Sequence, residues 1–481
     1  MSFRWLAPVL TEMDERDVAP IVEAARRIVR RVGMTIDGTE EFFDYLRNFG
    51  CEVRGTHVHF PDAVIDTTMA RIEAVKRENV RAARAYEPSS EVTWSTSGQA
   101  LWCCDPETDR LRPATKKDLA ALSHVIDSVE GLGRTHPTFI PQDAPARTRE
   151  LHAFVTIILN SREPHRVSAY SVEIVKYFVD AMTVVYGSEE EARKRLLLPC
   201  KVWLNSPFMI SREDIEAPME LRRLTGQPLT INSMPVAGAA TPVTPAGALA
   251  QITAEVIAAN VISLAVDGRI EGWIAGPLSF DMKTGVHTQW GPETIFLLAG
   301  ASHVSAYLFG GRPRFSVTTS TAAKVPGAQS MMEKAFAMGL GFALGARSFG
   351  ALTTLAFSDV GSVVQLMLEL ELVSAIRDLA KGFEVDPERI AEEVICEVAP
   401  KGAYYLGHEH TFRHFRDVQW FPELADRRIT AAWMQDPSTM LEHARRKALH
   451  LLETAPNQCT LEDAQRRELQ RILDAADREL G

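Results

Sequence analysis

The sequence predicts an α/β protein organised as a (β/α)8 TIM barrel, with an N-terminal α+β extension and a C-terminal helical extension. Three observations predict it. From about residue 92 to residue 398, short β-rich runs alternate with long amphipathic stretches, the pattern of βα units around a parallel sheet. Eight such units fill roughly 300 residues, which suits a closed ring. No Gly-rich nucleotide loop follows the first strand, as an open doubly wound sheet would be expected to carry. The rhythm is missing at both ends, so the expected regions are 1–91, 92–398 and 399–481.

Each element has its own signal. Val18, Ile21, Val22, Ala25, Ile28, Val29 and Val32 share one helical face over 17–32, and Gly33 ends the pattern. A second helix is expected over 39–48, closed by Gly50, and a hairpin around Gly55 within Cys51–Phe60. This first layer should cover a face of the barrel. Barrel strands are expected at Ala100–Cys104, His136–Ile140, Arg166–Tyr170, Lys201–Asn205, Leu229–Ser233, Gly272–Ala275, Arg314–Thr319 and Ser348–Thr353. The helices between and after them are expected over 115–129, 148–160, 171–185, 212–225, 245–265, 290–308, 326–345 and 361–382. Ser211 and Asp214 form an approximate capping box, and Thr244-Pro245 reads as an N-cap followed by proline at N1. The 245–265 helix is apolar nearly all round, so it should be buried on more than one side and suggests a homo-oligomer interface. Gly339, Gly341 and Gly345 lie inside a helix as close-packing residues, not as a dinucleotide fingerprint. After residue 398 comes a loop-rich stretch containing Gly407–Trp420, then helices over 437–453 and 461–479.

Composition removes several classes of function. The 481 residues carry a net charge of −11, which disfavours nucleic acid and anionic membrane as partners. None of the six cysteines stands in a C-x-x-C pair, so neither a zinc ribbon nor a thioredoxin-like site is indicated. The acidic residues that follow Val9 break any signal-peptide pattern, and no long uncharged apolar run appears. The expected protein is soluble and cytoplasmic.

In a barrel, chemistry sits at the C-terminal ends of the strands. That rule selects Gln142, Asp143, Tyr170, Ser171, Asn205, Ser206, Asn232, Ser233, Ser279, Asp281, Thr318–Ser320, Phe349 and Thr353. Asn205 suits either a ligand contact or a loop cap. Arg314 suits a bidentate carboxylate contact or a salt bridge at the barrel floor. His408, His410 and His414 form an H-x-H with a third histidine four residues on, so zinc has to be considered. Their place in a late loop, beside Arg413 and Arg416, favours an interaction surface or a cap, and no bound metal is expected. No Ser-His-Asp arrangement, G-x-S-x-G element, P-loop or H-E-x-x-H is present. No single residue is assigned as a catalytic acid, base or nucleophile.

Several motifs together resemble one family. They are Leu406-Gly407-His408-Glu409-His410-Thr411-Phe412-Arg413-His414-Phe415-Arg416 with Trp420-Phe421-Pro422-Glu423-Leu424-Ala425-Asp426-Arg427, and Ser320–Gln329 with Glu333-Lys334. Shorter ones are Cys104-Asp105-Pro106-Glu107-Thr108, Pro141-Gln142-Asp143 and Asn205-Ser206-Pro207. In these the chain resembles the trimethylamine:corrinoid methyltransferases from about residue 18 to 453. The resemblance implies a (β/α)8 barrel that passes an N-methyl group to cob(I)alamin on a separate corrinoid protein. Members that use trimethylamine carry pyrrolysine, and this sequence has none. That departure points to the non-pyrrolysine branch, similar to glycine betaine methyltransferases, and to a quaternary amine as substrate. A quaternary ammonium already holds a neutral-amine leaving group, so the protein's part is to orient and desolvate. Tyr170, Phe208 and Phe349 are the expected aromatic faces for the cation. Arg314 and Asn205 are expected on a betaine carboxylate, with Gln142, Asn232 and Thr318 completing the pocket. His408, His410, His414 and Trp420 are expected to dock the corrinoid protein or to cap the mouth. Two other readings remain: a metal-dependent barrel hydrolase using the three histidines, and a non-catalytic small-ligand binding barrel.

Overall fold

The computed structural model describes residues 13–84, 92–96, 98–132, 136–163, 169–195, 199–311, 313 and 315–481, with the backbone of Ser2–Phe3. The N-terminal layer begins with α1 (Glu15–Val32), α2 (Glu40–Phe49) and α3 (Asp62–Arg84). Asp14 caps α1 in a reciprocal box with Asp17, and Thr39 caps α2 through the Phe42 N–H. The expected hairpin forms as Glu52–Arg54 against His57–His59, with Gly55 at φ 61° in the turn. Its second strand pairs with Met34–Ile36, which in turn lies parallel to Met209–Ile210. Three strands of the first layer therefore extend a two-residue strand that belongs to the central region.

The central helices are α4 (Lys116–Asp127), α5 (Arg149–Asn160), α6 (Val175–Tyr186), α7 (Glu189–Arg195), α8 (Glu213–Thr225), α9 (Pro245–Asp267), α10 (Pro292–Phe309), α11 (Ala328–Ala343) and α12 (Val363–Lys381). The strands they flank pair in parallel. Ser316–Thr318, Ser348–Leu352 and Thr93–Thr96 make one ladder, and Cys200–Leu204 with Leu229–Ser233 makes another. Single parallel bridges join Ser233 to Ala275 and Ala100 to Phe139. Among the described residues no ladder joins these pieces into a closed ring. The protein is thus a mixed α/β fold with parallel strands.

Four strand expectations are corrected. The strand beside Ser348–Leu352 is Thr93–Thr96, not Ala100–Cys104. Thr93–Thr96 holds one large apolar residue, Trp94, which stacks on Phe349 with ring centroids 4.9 Å apart; the alternation is too short to read. The more apolar Trp102–Cys104 lies parallel to Val360–Gly361 and antiparallel to Leu111–Pro113. Gly272–Ala275 makes no ladder beyond the Ala275 bridge to Ser233, and its first N–H, that of Gly272, goes to Asn260 Oδ1 at 3.0 Å. His136–Ile140 is likewise reduced to the bridge at Phe139. Of Arg166–Tyr170, residues 166–168 lie outside the described residues, and Ala169 and Tyr170 are not in a strand.

The all-round apolarity of α9 has an intramolecular cause. It packs on α1, α2, α3, α10 and the strand Leu229–Ser233. Among the described residues it is the one helix long and apolar enough to cross a membrane, and most of it is buried inside the chain. Pro245 stands in its first turn as expected, but the Thr244 side chain makes no cap hydrogen bond. Gly341 acts as a packing glycine: a Cβ there would meet Val317 Cγ2 at 2.6 Å.

The C-terminal region holds α13 (Pro387–Ile390), α14 (Glu392–Val398), α15 (Glu409–Val418), α16 (Thr430–Trp433), α17 (Met440–Thr454) and α18 (Asp463–Leu480). The stretch expected as loop contains α15, whose first turn is capped by the His408 side chain accepting the His410 N–H at 3.1 Å. A histidine cap lies outside the usual N-cap residues, which is why the start of this helix escapes the sequence pattern. One apolar core runs from Val18 in α1 to Leu480 in α18.

Candidate active site

On Cys200–Leu204 and Leu229–Ser233 the residues alternate between two environments. Cys200, Val202, Leu204, Leu229, Ile231 and Ser233 are buried, whereas Lys201, Trp203, Thr230 and Asn232 are half-buried. The register sets Thr230 opposite Lys201 and Asn232 opposite Trp203. Because side chains alternate with period two, the buried set faces the helices, and Lys201, Thr230 and Asn232 face one common space. That space is a cavity of about 440 Å³, lined by Lys201, Thr230, Asn232, Gln99, His136, Ile140, Glu150, Tyr170 and Glu271 among others. Its size suits a small molecule, and its few charged groups converge inside it.

Its electrostatics are set by burial. Glu150, in the first turn of α5, accepts the Tyr170 N–H at 3.4 Å. A helix N-terminus favours a carboxylate, yet burial prevails and pushes its pKa up to about 7. Gln99 Nε2 donates to the Tyr170 hydroxyl at 3.1 Å, which orients the ring. Glu271 is also raised by burial, against the pull of Arg269, whose guanidinium lies 2.6 Å from its carboxylate. Burial lowers the Lys201 pKa. Its Nζ lies 4.4 Å from the centre of the Trp203 ring, and among the described residues no acidic side chain pairs with it. The cavity therefore offers a cation, two carboxyl groups, amides and an aromatic face.

Of the expected pocket residues, Tyr170 and Asn232 line this cavity, and Asn205, Phe208, Phe349, Thr318 and Gln142 lie elsewhere. Asn205 is exposed; its backbone pairs with Met209, and its Nδ2 donates to Asp214 at 2.9 Å, the arrangement of a loop cap. Phe208 is buried, with its N–H donating to Glu255 at 3.1 Å. Phe349 is fully buried under Trp94 and has no surface to offer a ligand. Thr318 is half-buried beside Gly350, and Gln142 turns its side-chain amide to the Ile140 carbonyl at 2.8 Å. Arg314 lies outside the described residues. Sequence reasoning passed over Gln99, His136, Glu150, Lys201 and Glu271. The alternation of Lys201 and Trp203 with buried residues was the available signal, but period two does not say which face looks inward.

The motifs behind the resemblance prove to be clamps. Glu333 accepts from Thr321 Oγ1 at 2.5 Å and from the Ala322 N–H at 2.7 Å. Lys334 forms a fully buried ion pair with Glu369, which also accepts the Thr353 N–H at 2.6 Å. Together they pin Thr321–Ala322 and the segment 351–358, in which Ala351, Thr353, Ala356, Phe357 and Ser358 all have positive φ. The two segments join through Ala356 N–H to Ala323 O at 2.7 Å and Phe357 N–H to Thr321 O at 2.8 Å. Asp105 closes its own turn onto Thr108, and Arg445 of α17 grips Asp109 at 2.7 Å. Asp143 accepts the Lys116 N–H at 2.9 Å, and Ser206 donates to Glu255 at 2.6 Å. Buried Glu371 of α12 accepts the N–H groups of Glu423, Leu424 and Ala425, while Trp420 Nε1 donates to Ser374 at 3.0 Å.

His410 and His414 pack ring to ring, with centroids 4.5 Å apart, but the three late histidines do not gather as a set of metal ligands. His408 lies 3.8 Å from Glu397, and His414 lies 3.4 Å from the Glu388 side chain. His410 faces the Glu388 carbonyl at 3.2 Å. Among the described residues no group of three or more potential metal ligands comes together.

A parallel-stranded α/β protein with charged groups gathered in a cavity of this size is, by architecture and site, one suited to bind a small molecule. The chain belongs to the trimethylamine methyltransferase (MTTB) family, whose model matches residues 4–481. It is 26% identical to a trimethylamine methyltransferase of Methanosarcina mazei, over 82% of this chain and 79% of that protein. It is 21% identical to a glycine betaine methyltransferase of Desulfitobacterium hafniense, over 90% of each. Among solved structures, the monomethylamine methyltransferase of Methanosarcina barkeri matches 92% of this chain and 94% of its own, at 12% identity and a TM-score of 0.42.

Proposed function

We propose that this protein moves a methyl group from a betaine-like quaternary amine to the cob(I)alamin of a separate corrinoid protein, and that the amine binds in the Lys201–Asn232 cavity. The observation that carries the proposal is the presence, in one cavity, of carboxyl groups, an aromatic face and a lysine that no described acidic side chain pairs. Family membership supports methyl transfer, and the similarity to a glycine betaine methyltransferase supports the substrate class. The absence of pyrrolysine from the sequence fits a substrate that needs no activation beyond its own positive charge. We take the parallel strands as parts of a (β/α)8 ring over 92–398, flanked by an N-terminal layer over 1–91 and a C-terminal extension over 399–481.

When docked, the corrinoid supplies a strong cobalt nucleophile for the methyl carbon. The chain's own residues orient and desolvate the amine. Tyr170 offers a ring face to the ammonium, and Glu150 in its ionised form attracts the cation more strongly as water is excluded. We assign docking of the corrinoid protein to the surface that includes His408, His410, His414 and Trp420. Beside them Tyr404 and Leu406 are 91% and 87% exposed, and Arg413 and Arg416 add the mixture of arginine and large apolar groups common at interfaces. Anaerobic incubation with reduced cobalamin and a panel of amines tests the function. The expected result is the Co(I) to methyl-Co(III) spectral change with a quaternary amine and none with trimethylamine. Methylation by trimethylamine alone would overturn the substrate class, and no methylation by any amine would overturn the function.

A further inference from the structure

Lys201 and Glu150 stand in the same cavity with opposite charges, yet no ion pair forms between them. Glu271 already has Arg269 at 2.6 Å. Lys201 has the ring of Trp203 beneath it and, among the described residues, no acidic partner. A half-buried ammonium and a half-buried carboxyl, each without a counter-charge among the described residues, are costly to hold apart. A ligand with one charge at each end would satisfy both at once.

The cavity also has direction. Lys201 and Thr230 are the second residues of their strands, and Asn232 lies two residues further along. Gln99 follows the strand Thr93–Thr96, and Glu150 opens α5, which follows the Ala100–Phe139 bridge. We propose that Lys201 is the specificity-determining residue of this site, pairing with the carboxylate of a zwitterionic substrate at the inner end of the cavity. The quaternary ammonium then lies towards Glu150 and Tyr170. This rests on the proposed function and deepens it, because it sets zwitterions apart from simple cations. It also moves the carboxylate contact away from Asn205, whose amide is already bound to Asp214.

Calorimetric binding of three probes tests the assignment: glycine betaine, its methyl ester and choline. For the unmodified protein, glycine betaine is expected to bind about tenfold or more tightly than either of the others, the range of one charge-assisted contact. Lys201→Met is expected to remove that preference while leaving choline binding within about threefold, and Lys201→Arg to restore part of it. In turnover, Lys201→Met is expected to raise KM for glycine betaine more than it lowers kcat. The ester comparison needs no variant, so it stands even if a substitution unfolds the protein. Equal binding of betaine and ester, or an unchanged preference in Lys201→Met while the parent demethylates betaine, would overturn the assignment and leave the function standing. Failure of the parent to bind any of the three probes would overturn both.

Discussion

At the scale of single residues, the cavity is governed by charges held half out of water. Glu150 shows the consequence most clearly. Its carboxyl is raised by burial to about 7, so between roughly pH 4.5 and pH 7 the folded chain keeps a proton that the unfolded chain has released. Its contribution to stability therefore falls as pH rises through that window. Binding of a cation runs the other way, because the cation prefers the ionised carboxylate. Affinity for a quaternary ammonium should climb between about pH 6 and pH 8, with proton release on binding, and Glu150→Gln should flatten the climb. Calorimetry in buffers of different ionisation heat reads both effects. His136, Lys201 and Glu271 share the cavity, and a climb that persists in Glu150→Gln would assign the titration to one of them. Little of this was legible in the sequence. Tyr170 and Asn232 could be picked because they end β-rich runs, whereas Glu150 lies in a helix and Lys201 near a strand start, where the C-terminal-end rule does not look.

At the scale of elements, the helices were legible and the strands less so. Every helix expected between residues 115 and 382 is present, because a pattern of period 3.6 repeated over three or more turns is hard to mistake. Thr93–Thr96 and Gly272–Ala275 misled for a physical reason: one has a single apolar anchor, and the other gives its first N–H to Asn260 and meets the neighbouring strand at one bridge, Ser233 to Ala275. The Lys334–Glu369 pair shows why a polar motif can sit inside a core. Both side chains are fully buried, and burial presses each towards its neutral form while their mutual attraction opposes it. Lys334→Met alone leaves a carboxylate unpaired beside the positive-φ segment, and should cost about 3–5 kcal/mol. The double change Lys334→Met with Glu369→Leu should cost clearly less than the sum of the singles. Thermal and denaturant unfolding of all four proteins measures this, and simple additivity would show that the pair is not coupled.

At the scale of the whole molecule, the three regions are tied together by a few buried contacts. Met34–Ile36 pairs with Met209–Ile210, α1 lies along α9, and Glu371 holds the Glu423–Ala425 turn. The long C-terminal signature was legible as a resemblance long before its role was. Its Trp420 half proves to be an anchor on α12, and its histidine half faces Glu388 and Glu397. The central claim is that a quaternary amine bound in the cavity loses one methyl group to a corrinoid. The most direct measurement is a single anaerobic turnover with glycine betaine carrying ¹³C in its methyl groups, followed by NMR. The expected result is labelled methyl-cobalamin and dimethylglycine in equal amounts, with both falling together in Lys201→Met. Labelled methyl-cobalamin formed equally well by Lys201→Met and Glu150→Gln would place the reaction outside this cavity, and dimethylglycine formed without methyl-cobalamin would contradict transfer to the corrinoid.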